Sequence, residues 1–489
     1  MKSKWWTWLT LMLVFATLVS CGGTNQAPEN ASPGNNAQAT EETAPMPVEE
    51  TPAGTGAEAT PADTGEMATP ETEPGAAAGD GEGPVLNADV SGRVEIWHFW
   101  ASPVRRQALR RVIAICQQEL PNIEVVDTVK PFGDIWTANL AAVAAGSGMP
   151  DVIISDRPKL PQDGADGVYT NLQEWADRDN VSQEQFYDWA WDQTLYEGAT
   201  YGIPFETDIR VLFWNKQAFE EAGLDPEQPP ETWDDLETYA DALDMTEGGL
   251  DRIGFFPLIN IGPDVWQYTN DADMFAEDGT PQLNNPQMVE TMEWIKSWVD
   301  RYGGWDAIQA FRGQFGAPPN DAFMSGKVAM ITDIYGYNSQ LQFYRPNVTL
   351  ADGTQERMEW GIAPLPYNTD PGNWSGGFAM SIPMGAPNAE AAWEWIKCAT
   401  GAEGQASWAR DTAAQPTNLV AAADPVLLAE PSWAVVEESL GHSTGGVYVT
   451  GYPNWGEQLT QRQEAIWTGD MTAQEALDEA QAAVEAEVQ

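Results

Sequence analysis

Predicted strands and helices alternate along the first part of the folded sequence, and this alternation constrains the fold more than any other feature. Residues 93–100 alternate between apolar and polar side chains, as expected for a strand. A helix over 103–119, a strand at 123–129, a helix over 135–145 and a strand at 151–155 follow. The alternation predicts an α/β fold with a mostly parallel sheet. Ligands of such sheets bind beyond the carboxyl ends of the strands.

Polar and aromatic residues stand at these predicted strand ends. His98, Trp100 and Ser102 follow the first strand, and Asp156 and Arg157 follow the third. Carboxylates and guanidinium groups form strong hydrogen bonds with hydroxyls. An indole presents a flat apolar face with one donor, which suits a sugar ring. We therefore expect these residues to lie in a binding cleft, with Ser102 the weaker candidate.

Two further carboxylates, Glu206 and Asp208, stand two residues apart in IPFETDIRVLFWNK (203–216). In an extended chain such residues point to the same face. They can be the acid/base pair of a glycosidase, or acceptors for the hydroxyls of a ligand that is held and released unchanged. A glycosidase places its two carboxyl groups about 5–10 Å apart on either side of the bond it cleaves. Two acids on one face favour hydroxyl binding.

The N-terminus is typical of a secretion signal. Lys2 and Lys4 precede an apolar stretch, and Leu18-Val-Ser-Cys21-Gly22 is similar to the bacterial lipobox. That similarity implies a signal peptide over 1–20 and lipidation of Cys21, with a retained membrane anchor as the alternative. Residues 21–90 then form an acidic tether, because a segment rich in Ala, Gly, Pro, Thr and Glu buries too little apolar surface to fold.

Composition narrows the choice of partners and cofactors. The formal net charge of −51 argues against nucleic acid and against an anionic membrane surface, so the lipid anchor is the expected membrane contact. Three cysteines and two histidines argue against a Cys/His zinc site and a disulfide framework, and we expect no cofactor. Cys116 and Cys398 fall in predicted helices. We expect buried free thiols there, since a bridge requires the two helices to be neighbours.

Six stretches of this sequence together resemble one protein family. They are VEIWHFW (94–100), AAGSGMPDVIISD (144–156), YGIPFETDIRVLFWNKQAFEEAGLDPEQPPETWDDL (201–236), AFMSGKVAMITD (322–333), GNWSGGFAMSIPMGAPNAEAAWEWIK (372–397) and GDMTAQEALDEAQ (469–481). Their order and the lipobox resemble the extracellular solute-binding lipoproteins of bacterial ABC importers, in the carbohydrate group that includes maltose-binding protein. The stretches span nearly the whole folded sequence.

The resemblance implies the periplasmic-binding-protein fold, in which two α/β lobes joined by a hinge of several crossings enclose the ligand. The 489 residues are too many for one core, which agrees with a division into two lobes. We expect residues 91–207 and 373–428 in lobe 1, and residues 208–372 and 429–489 in lobe 2. The resemblance also implies a monomer that captures a carbohydrate and delivers it to the transmembrane subunits of an ABC permease. We expect the carbohydrate to be an oligosaccharide.

The resemblance carries over to individual residues. Asp208 matches the acid that the family places at the hinge, and Asp156 the acid after the third strand. One of two tyrosines, Tyr335 or Tyr337, occupies the place of a sugar-stacking tryptophan. The resemblance also places further residues in the ligand wall, namely Trp374, Gly376, Gly377, Phe378, Gln415 and Trp455.

Two rival functions stay open at this point. A binding protein for a polyol or a glycerol phosphate ester would share the fold, and Arg157 and Arg210 keep a phosphate ligand possible. A secreted glycoside hydrolase is a remote alternative. No HExxH, GxGxxG or P-loop pattern is present, so we expect a binding protein without catalytic residues.

Overall fold

The computed structural model describes residues 83–276, 279–350, 352–445, 452 and 454–486. Cys21, the predicted signal peptide and most of the predicted tether lie outside these residues. The strands are β1 (Gly92–His98), β2 (Ile123–Val129), β3 (Val152–Asp156), β4 (Leu195–Tyr196), β5 (Ala199–Thr200), β6 (Ile203–Thr207), β7 (Arg210–Asn215), β8 (Met330–Ile334), β9 (Asn347–Thr349), β10 (Gln355–Arg357), β11 (Trp360–Ala363), β12 (Asn373–Ser375), β13 (Gly377–Ser381), β14 (Gln415–Pro416) and β15 (Ser443–Gly445).

The helices connect these strands and cover the sheets. They are α1 (Pro103–Glu119), α2 (Asp134–Ala145), α3 (Leu160–Ala165), α4 (Gln173–Arg178), α5 (Asp188–Asp192), α6 (Lys216–Ala222), α7 (Trp233–Leu243), α8 (Pro286–Arg301), α9 (Trp305–Arg312), α10 (Tyr337–Tyr344), α11 (Ala389–Ala399), α12 (Ala402–Thr412), α13 (Leu419–Ala422), α14 (Pro425–Leu428), α15 (Trp433–Gly441), α16 (Trp455–Thr468) and α17 (Ala473–Ala486). Within the described residues, none of these helices has both the length and the apolar character that a membrane crossing requires.

The predicted alternation of strands and helices is confirmed from β1 to β3. Ser102 starts α1, because its hydroxyl accepts a hydrogen bond from the backbone N–H of Arg105 and Pro103 occupies the first turn. Gly146 ends α2 in the left-handed conformation, where a residue without a Cβ is favoured. These local signals fix the bounds of the elements that place His98 and Asp156 at the ends of their strands.

The first sheet has the strand order β14–β6–β13–β3–β1–β2. β1 pairs in parallel with β2 and β3, as the sequence predicts. β13 runs antiparallel to β3 and β6, and β14 runs antiparallel to β6. The prediction of a mostly parallel sheet is therefore wrong, because strands returning from distant parts of the chain enter this sheet in the opposite direction.

The second sheet is antiparallel, with the order β11–β7–β8. The chain passes directly from the first sheet to the second between β6 and β7, which only Asp208 and Ile209 separate. It returns between β11 and β13. Each sheet packs against its own apolar core, one around Trp100 and Trp408 and the other around Trp266 and Trp298. A cleft beside these connections is therefore reached by residues from both sheets.

Cys116 on α1 and Cys398 on α11 form a disulfide, with Cα atoms 5.8 Å apart. The expectation of two free thiols is wrong. The residues are 282 positions apart, and the helices become neighbours only because both cover the same face of the first sheet, where their apolar sides share one core. No local pattern carries that information.

Candidate functional site

A cavity of about 530 Å³ lies between segments that follow the strands of both sheets. Asp156 at the end of β3 and Asp163 on α3 line it from the first sheet. Asp264 lies in a single 3₁₀ turn, Pro263–Val265, on the opposite wall. We call this space the first cavity. Its further lining residues with charged or aromatic side chains are Lys159, Tyr268, Trp374, Trp455 and Glu457.

The carboxyl groups of the first cavity hold protons more tightly than free carboxyl groups do. Removal from water raises the pKa of Asp156 to about 6, a shift that Lys159 opposes and Asp208 reinforces. The same cause raises the pKa of Asp163 to about 7. Desolvation also raises the pKa of Asp264, and Arg210 opposes the shift. Asp156 and Asp163 therefore titrate close to neutral pH.

Two buried polar atoms in the cavity wall lack a hydrogen-bond partner among the described residues. One is Oε1 of Gln267, a residue that is fully buried, and the other is Nε1 of Trp374. A buried polar atom without a partner destabilises the fold by about 1–3 kcal/mol. Both atoms lie behind the surface of the wall, so a ligand hydroxyl would complete their hydrogen bonding only after the wall shifts.

Asp208 and Arg210 form an ion pair beside Trp374. The Arg210 guanidinium also donates to the Trp374 carbonyl at 2.9 Å and lies 4.0 Å from the centre of the indole ring. Asp208 Oδ1 in turn accepts from the backbone N–H of Gly376 at 3.2 Å. Asp208 thus orients the aromatic wall through Arg210. From the sequence, Arg210 was considered only as a possible partner of a phosphate ligand. Its position two residues after Asp208 was the signal that could have indicated the ion pair.

Arg157, predicted to contact the ligand, is fully buried and bonded to protein atoms. Its Nε donates to Gln193 at 2.7 Å, one Nη donates to the Glu206 carbonyl at 3.1 Å, and the other donates to the Gly376 carbonyl. Thr207 Oγ1 also donates to the Gly376 carbonyl, at 2.9 Å. We call Arg157, Glu206, Thr207 and Gly376 the strand-end cluster. It joins the ends of β3 and β6 to the start of β13.

The predicted common face of Glu206 and Asp208 is absent from the structure. β6 ends at Thr207, so the alternation of an extended strand does not continue to Asp208. Glu206 is buried and accepts a hydrogen bond from Nε1 of Trp408, inside the core of the first sheet. Burial raises the pKa of its carboxyl group. Among the described residues, the two acids share no hydrogen-bond partner.

A second cavity of about 480 Å³ lies at the ends of β1 and β8. Trp100, Ser102 and Tyr337, all predicted from the sequence, line it together with Arg105. Trp100 and Tyr337 are nevertheless buried, with 1% and 4% of their surface exposed. Asp333 contributes a carboxyl group whose pKa is raised to about 6 by burial, against a hydrogen bond from Asn260. The candidate cleft therefore has two cavities with different lining residues.

Three predicted residues lie in the protein interior. His98 is fully buried, 3.3 Å from Asp127 through Nε2, while its Nδ1 accepts from the Trp100 backbone N–H at 3.2 Å. Tyr335 is buried with its hydroxyl 2.7 Å from Ser432. Gln415 is buried in β14 and donates to the Ala413 carbonyl at 2.8 Å. None of the three lines either cavity.

The Gly-Gly-aromatic segment opens β13, between β6 and β3 of the first sheet. Gly377 has a φ of +123°, and a Cβ there would lie 2.3 Å from the Glu206 carbonyl oxygen. A Cβ on Gly376 would lie 3.3 Å from Asp208 Oδ1. Phe378 is half-buried, and in β13 it stands opposite both Asp156 and Glu206. Glycine at these two positions lets the backbone approach Glu206 and Asp208 closely. Phe378 lies next to the first cavity because its strand partner Asp156 lines that cavity.

Sequence reasoning missed most of the first cavity's opposite wall. Asp264, Gln267 and Tyr268 come from two single 3₁₀ turns, which have no periodicity to identify them. The nearby Trp266 is completely buried. A polar residue after Gly-Pro in a sequence rich in core aromatics was the only signal.

Comparison with known proteins identifies what the chain is similar to. A family model described as bacterial extracellular solute-binding protein matches residues 111–434. A Brucella abortus (strain 2308) protein named as a binding protein is 26% identical over 208 residues, 41% of this chain and 46% of that protein. The sn-glycerol-3-phosphate-binding periplasmic protein UgpB of Pectobacterium atrosepticum is 25% identical over 304 residues, 57% of this chain and 64% of UgpB. The chain thus spans about half to two thirds of the length of these relatives.

Solved structures with the same fold cover more of the chain. A structure described as CpMnBP1 with mannotriose bound has a TM-score of 0.71 and 26% identity, and the match covers 80% of this chain and 99% of that one. Maltose-bound MalE3 of T. maritima has a TM-score of 0.68 and 18% identity, covering 81% and 99%. At that identity, the second match shows the fold alone.

Proposed function

Because the chain belongs to the bacterial extracellular solute-binding protein family, we propose that it captures an oligosaccharide in the cleft formed by the two cavities and delivers it to an ABC importer. The wall of the first cavity is the observation that carries this proposal. It combines carboxyl groups, two unpartnered polar atoms and the rings of Tyr268, Trp374 and Trp455. Carboxylates accept hydrogen bonds from sugar hydroxyls, and aromatic rings pack on the apolar faces of sugar rings.

A phosphate-containing ligand is the main alternative, since UgpB relatives are named for binding sn-glycerol 3-phosphate. The charges of the first cavity argue against it. Four acidic side chains line the cavity, Asp156, Asp163, Asp264 and Glu457, against the single cation Lys159. Arg210 is already paired with Asp208. An anionic ligand would meet net repulsion there.

A hydrolytic function has little support. Glu206, one half of the acid pair considered from the sequence, lies in the core against Trp408. The matched family and its named relatives are described as binding proteins. We propose that binding biases the protein between open and closed arrangements, which the permease then distinguishes.

The two proposed lobes are residues 91–207 with 373–428, and residues 208–372 with 429–489. The first sheet lies in the first set and the β11–β7–β8 sheet in the second. The pairing of β12 with β15 joins the two sets and supports a further crossing near residue 428.

The location of the protein is proposed to be outside the cytoplasm, held to the membrane through lipidated Cys21, as a monomer. Two observations support this location. The matched family is extracellular by description. The Cys116–Cys398 disulfide is also typical of oxidising compartments, since cytosolic thiols are kept reduced.

Calorimetry on the purified protein tests the function. The titrants are neutral mono- and oligosaccharides, polyols, and sn-glycerol 3-phosphate. We expect binding of at least one oligosaccharide, with no cleavage products after prolonged incubation. If the protein binds sn-glycerol 3-phosphate and no sugar, its ligand is a phosphate ester and not an oligosaccharide. If shortened sugars appear, the protein is a hydrolase and not a binding protein.

A further inference from the structure

Phe132 is a large apolar side chain that the fold leaves in solvent, with 66% of its surface exposed. It lies in the loop between β2 and α2, at the carboxyl end of β2. Single exposed apolar residues are common and need no explanation by themselves. The neighbours of Phe132 set it apart, because they hold its ring in one place beside the candidate cleft.

Three aromatic residues support this ring. The centre of the Phe132 ring is 5.0 Å from that of Phe99 and 5.1 Å from that of Trp136, with interplanar angles of 90° and 78°. Phe99 in turn lies 4.7 Å from Phe378. Trp136 is fixed because its Nε1 donates to the Ile154 carbonyl at 3.1 Å. Edge-to-face contacts of this kind stabilise the ring position while leaving ring surface uncovered.

The same aromatic group touches both cavities. Phe99 lines the second cavity. Phe378 stands opposite Asp156, and Lys159 lies 5.7 Å from the Trp136 ring centre; both Asp156 and Lys159 line the first cavity. Phe132 is the exposed member of a continuous aromatic surface that runs between the two cavities.

We propose that the ring of Phe132 stacks on one sugar unit lying between the two cavities, so that the cleft favours oligosaccharides long enough to reach it. This inference rests on the proposed function. A sugar ring carries an apolar face of C–H groups, and an uncovered aromatic ring at the edge of a polar cleft matches that face. Phe132 is not part of the lining of the first cavity, so a sugar confined to that cavity does not contact its ring, and only a chain that extends out of the cavity can do so.

Chain-length series provide the test. The titrants are β-1,4-linked manno-oligosaccharides and malto-oligosaccharides of two to six units, measured by calorimetry on the wild-type protein and on Phe132→Ala. We expect wild-type affinity to rise beyond two units. Phe132→Ala is expected to lose about tenfold in affinity for the longer members and less than about twofold for the disaccharide. Phe132→Trp is expected to retain the length dependence.

Leu140→Ala is the matched control, because Leu140 is 48% exposed on the adjacent α2 and makes none of these ring contacts. It should leave affinity unchanged at every length. Equal losses at all lengths in Phe132→Ala, or no loss at any length, would overturn the inference while leaving the proposed function intact. Unchanged sugar affinities together with impaired uptake in cells would assign the ring to the importer instead. If the wild-type protein binds no sugar in either series or in the wider panel, both proposals fall.

Discussion

Asp156 and Arg157 are consecutive residues at the end of one strand, yet they belong to different layers of the cleft. Asp156 lines the first cavity, where its pKa is raised to about 6. Arg157 turns inward and its guanidinium bonds to Gln193, Glu206 and Gly376. A polar residue at a strand end thus serves either the ligand or the contacts between neighbouring strands of the first sheet. Residue type alone does not decide which.

The same division separates Asp208 from Glu206. Asp208 supports the cavity wall through Arg210 and Trp374. Glu206 belongs to the strand-end cluster and points into the core at Trp408. If the division is correct, changes in the cluster should affect stability first, and changes in the cavity wall should affect ligand affinity first.

The largest expected effect is on stability, in Arg157→Met. The substitution keeps much of the side-chain length but removes every donor, so Gln193 Oε1 and the Glu206 carbonyl lose this partner and the Gly376 carbonyl keeps only Thr207 Oγ1. Each buried acceptor left without a donor destabilises a protein by about 1–3 kcal/mol. Urea unfolding measures the loss. Lys327→Met is the control, because its exposed ion pair with Asp251 should contribute less than about 1 kcal/mol. A similarly small loss of stability in both variants would show that Arg157 does not stabilise the strand-end cluster.

The next effect is on binding, in Asp156→Ala. We expect affinity for the oligosaccharide to fall by about 1–3 kcal/mol, or about 5- to 150-fold, because hydrogen bonds to a charged group are lost. Stability should change by less than in Arg157→Met. Asp300→Ala, on the exposed side of α8, is the control and should bind as the wild type does. Unchanged affinity in Asp156→Ala would show that the first cavity is not where the sugar lies.

The strand and helix bounds could be predicted because the signals are local. Ser102 and Pro103 mark the start of α1, and the bounds of β2 are those read from the sequence. The antiparallel entry of β13 into the first sheet could not be predicted, since it depends on a pairing between residues more than 200 positions apart. The disulfide escaped prediction for the same reason.

The site was only partly predictable for a different physical reason. Asp156, Trp374 and Trp455 line the first cavity as the sequence and the family resemblance suggested. For Glu206, the inference assumed that an extended strand continues through Asp208, and one residue of strand length decided the outcome. Side-chain direction at a strand end is set by tertiary contacts, here the indole of Trp408.

A smaller effect is expected from pH. Removal from water raises the folded-state pKa values of Asp156 and Asp163 to about 6 and 7, so both carboxyl groups gain protons between pH 8 and 5. Ionised carboxylates accept hydrogen bonds from hydroxyls more strongly. Affinity for a neutral oligosaccharide should therefore fall by about threefold to tenfold over that range. Asp163→Asn should flatten the upper part of the profile, and Asp300→Asn should leave it unchanged.

The stability of the ligand-free protein should change with pH in the direction opposite to affinity, because the same two acids titrate. An acid with a raised folded-state pKa binds more protons in the folded than in the unfolded protein, from about pH 4 up to its folded pKa. Its contribution to stability is thus lost as pH rises through that window. Urea midpoints measured from pH 5 to 8 should decline less steeply in Asp163→Asn than in the wild type. An equally steep decline in both proteins would mean that Asp163 is ionised in the cavity throughout this range.

The smallest effect, and the sharpest for the comparison, is expected in Glu206→Gln. Glutamine keeps an acceptor for the Trp408 indole. It also removes a carboxyl group whose pKa is raised by burial. At pH 8 the penalty for burying the ionised form is therefore relieved, and we expect unfolding free energy to stay within about 1 kcal/mol of the wild type, on the stabilising side. Sugar affinity should not change, because Glu206 lies behind the cavity wall. If Glu206→Gln instead weakens sugar binding as strongly as Asp156→Ala does, the charge of Glu206 acts on the ligand through the wall, and the two layers are one functional unit.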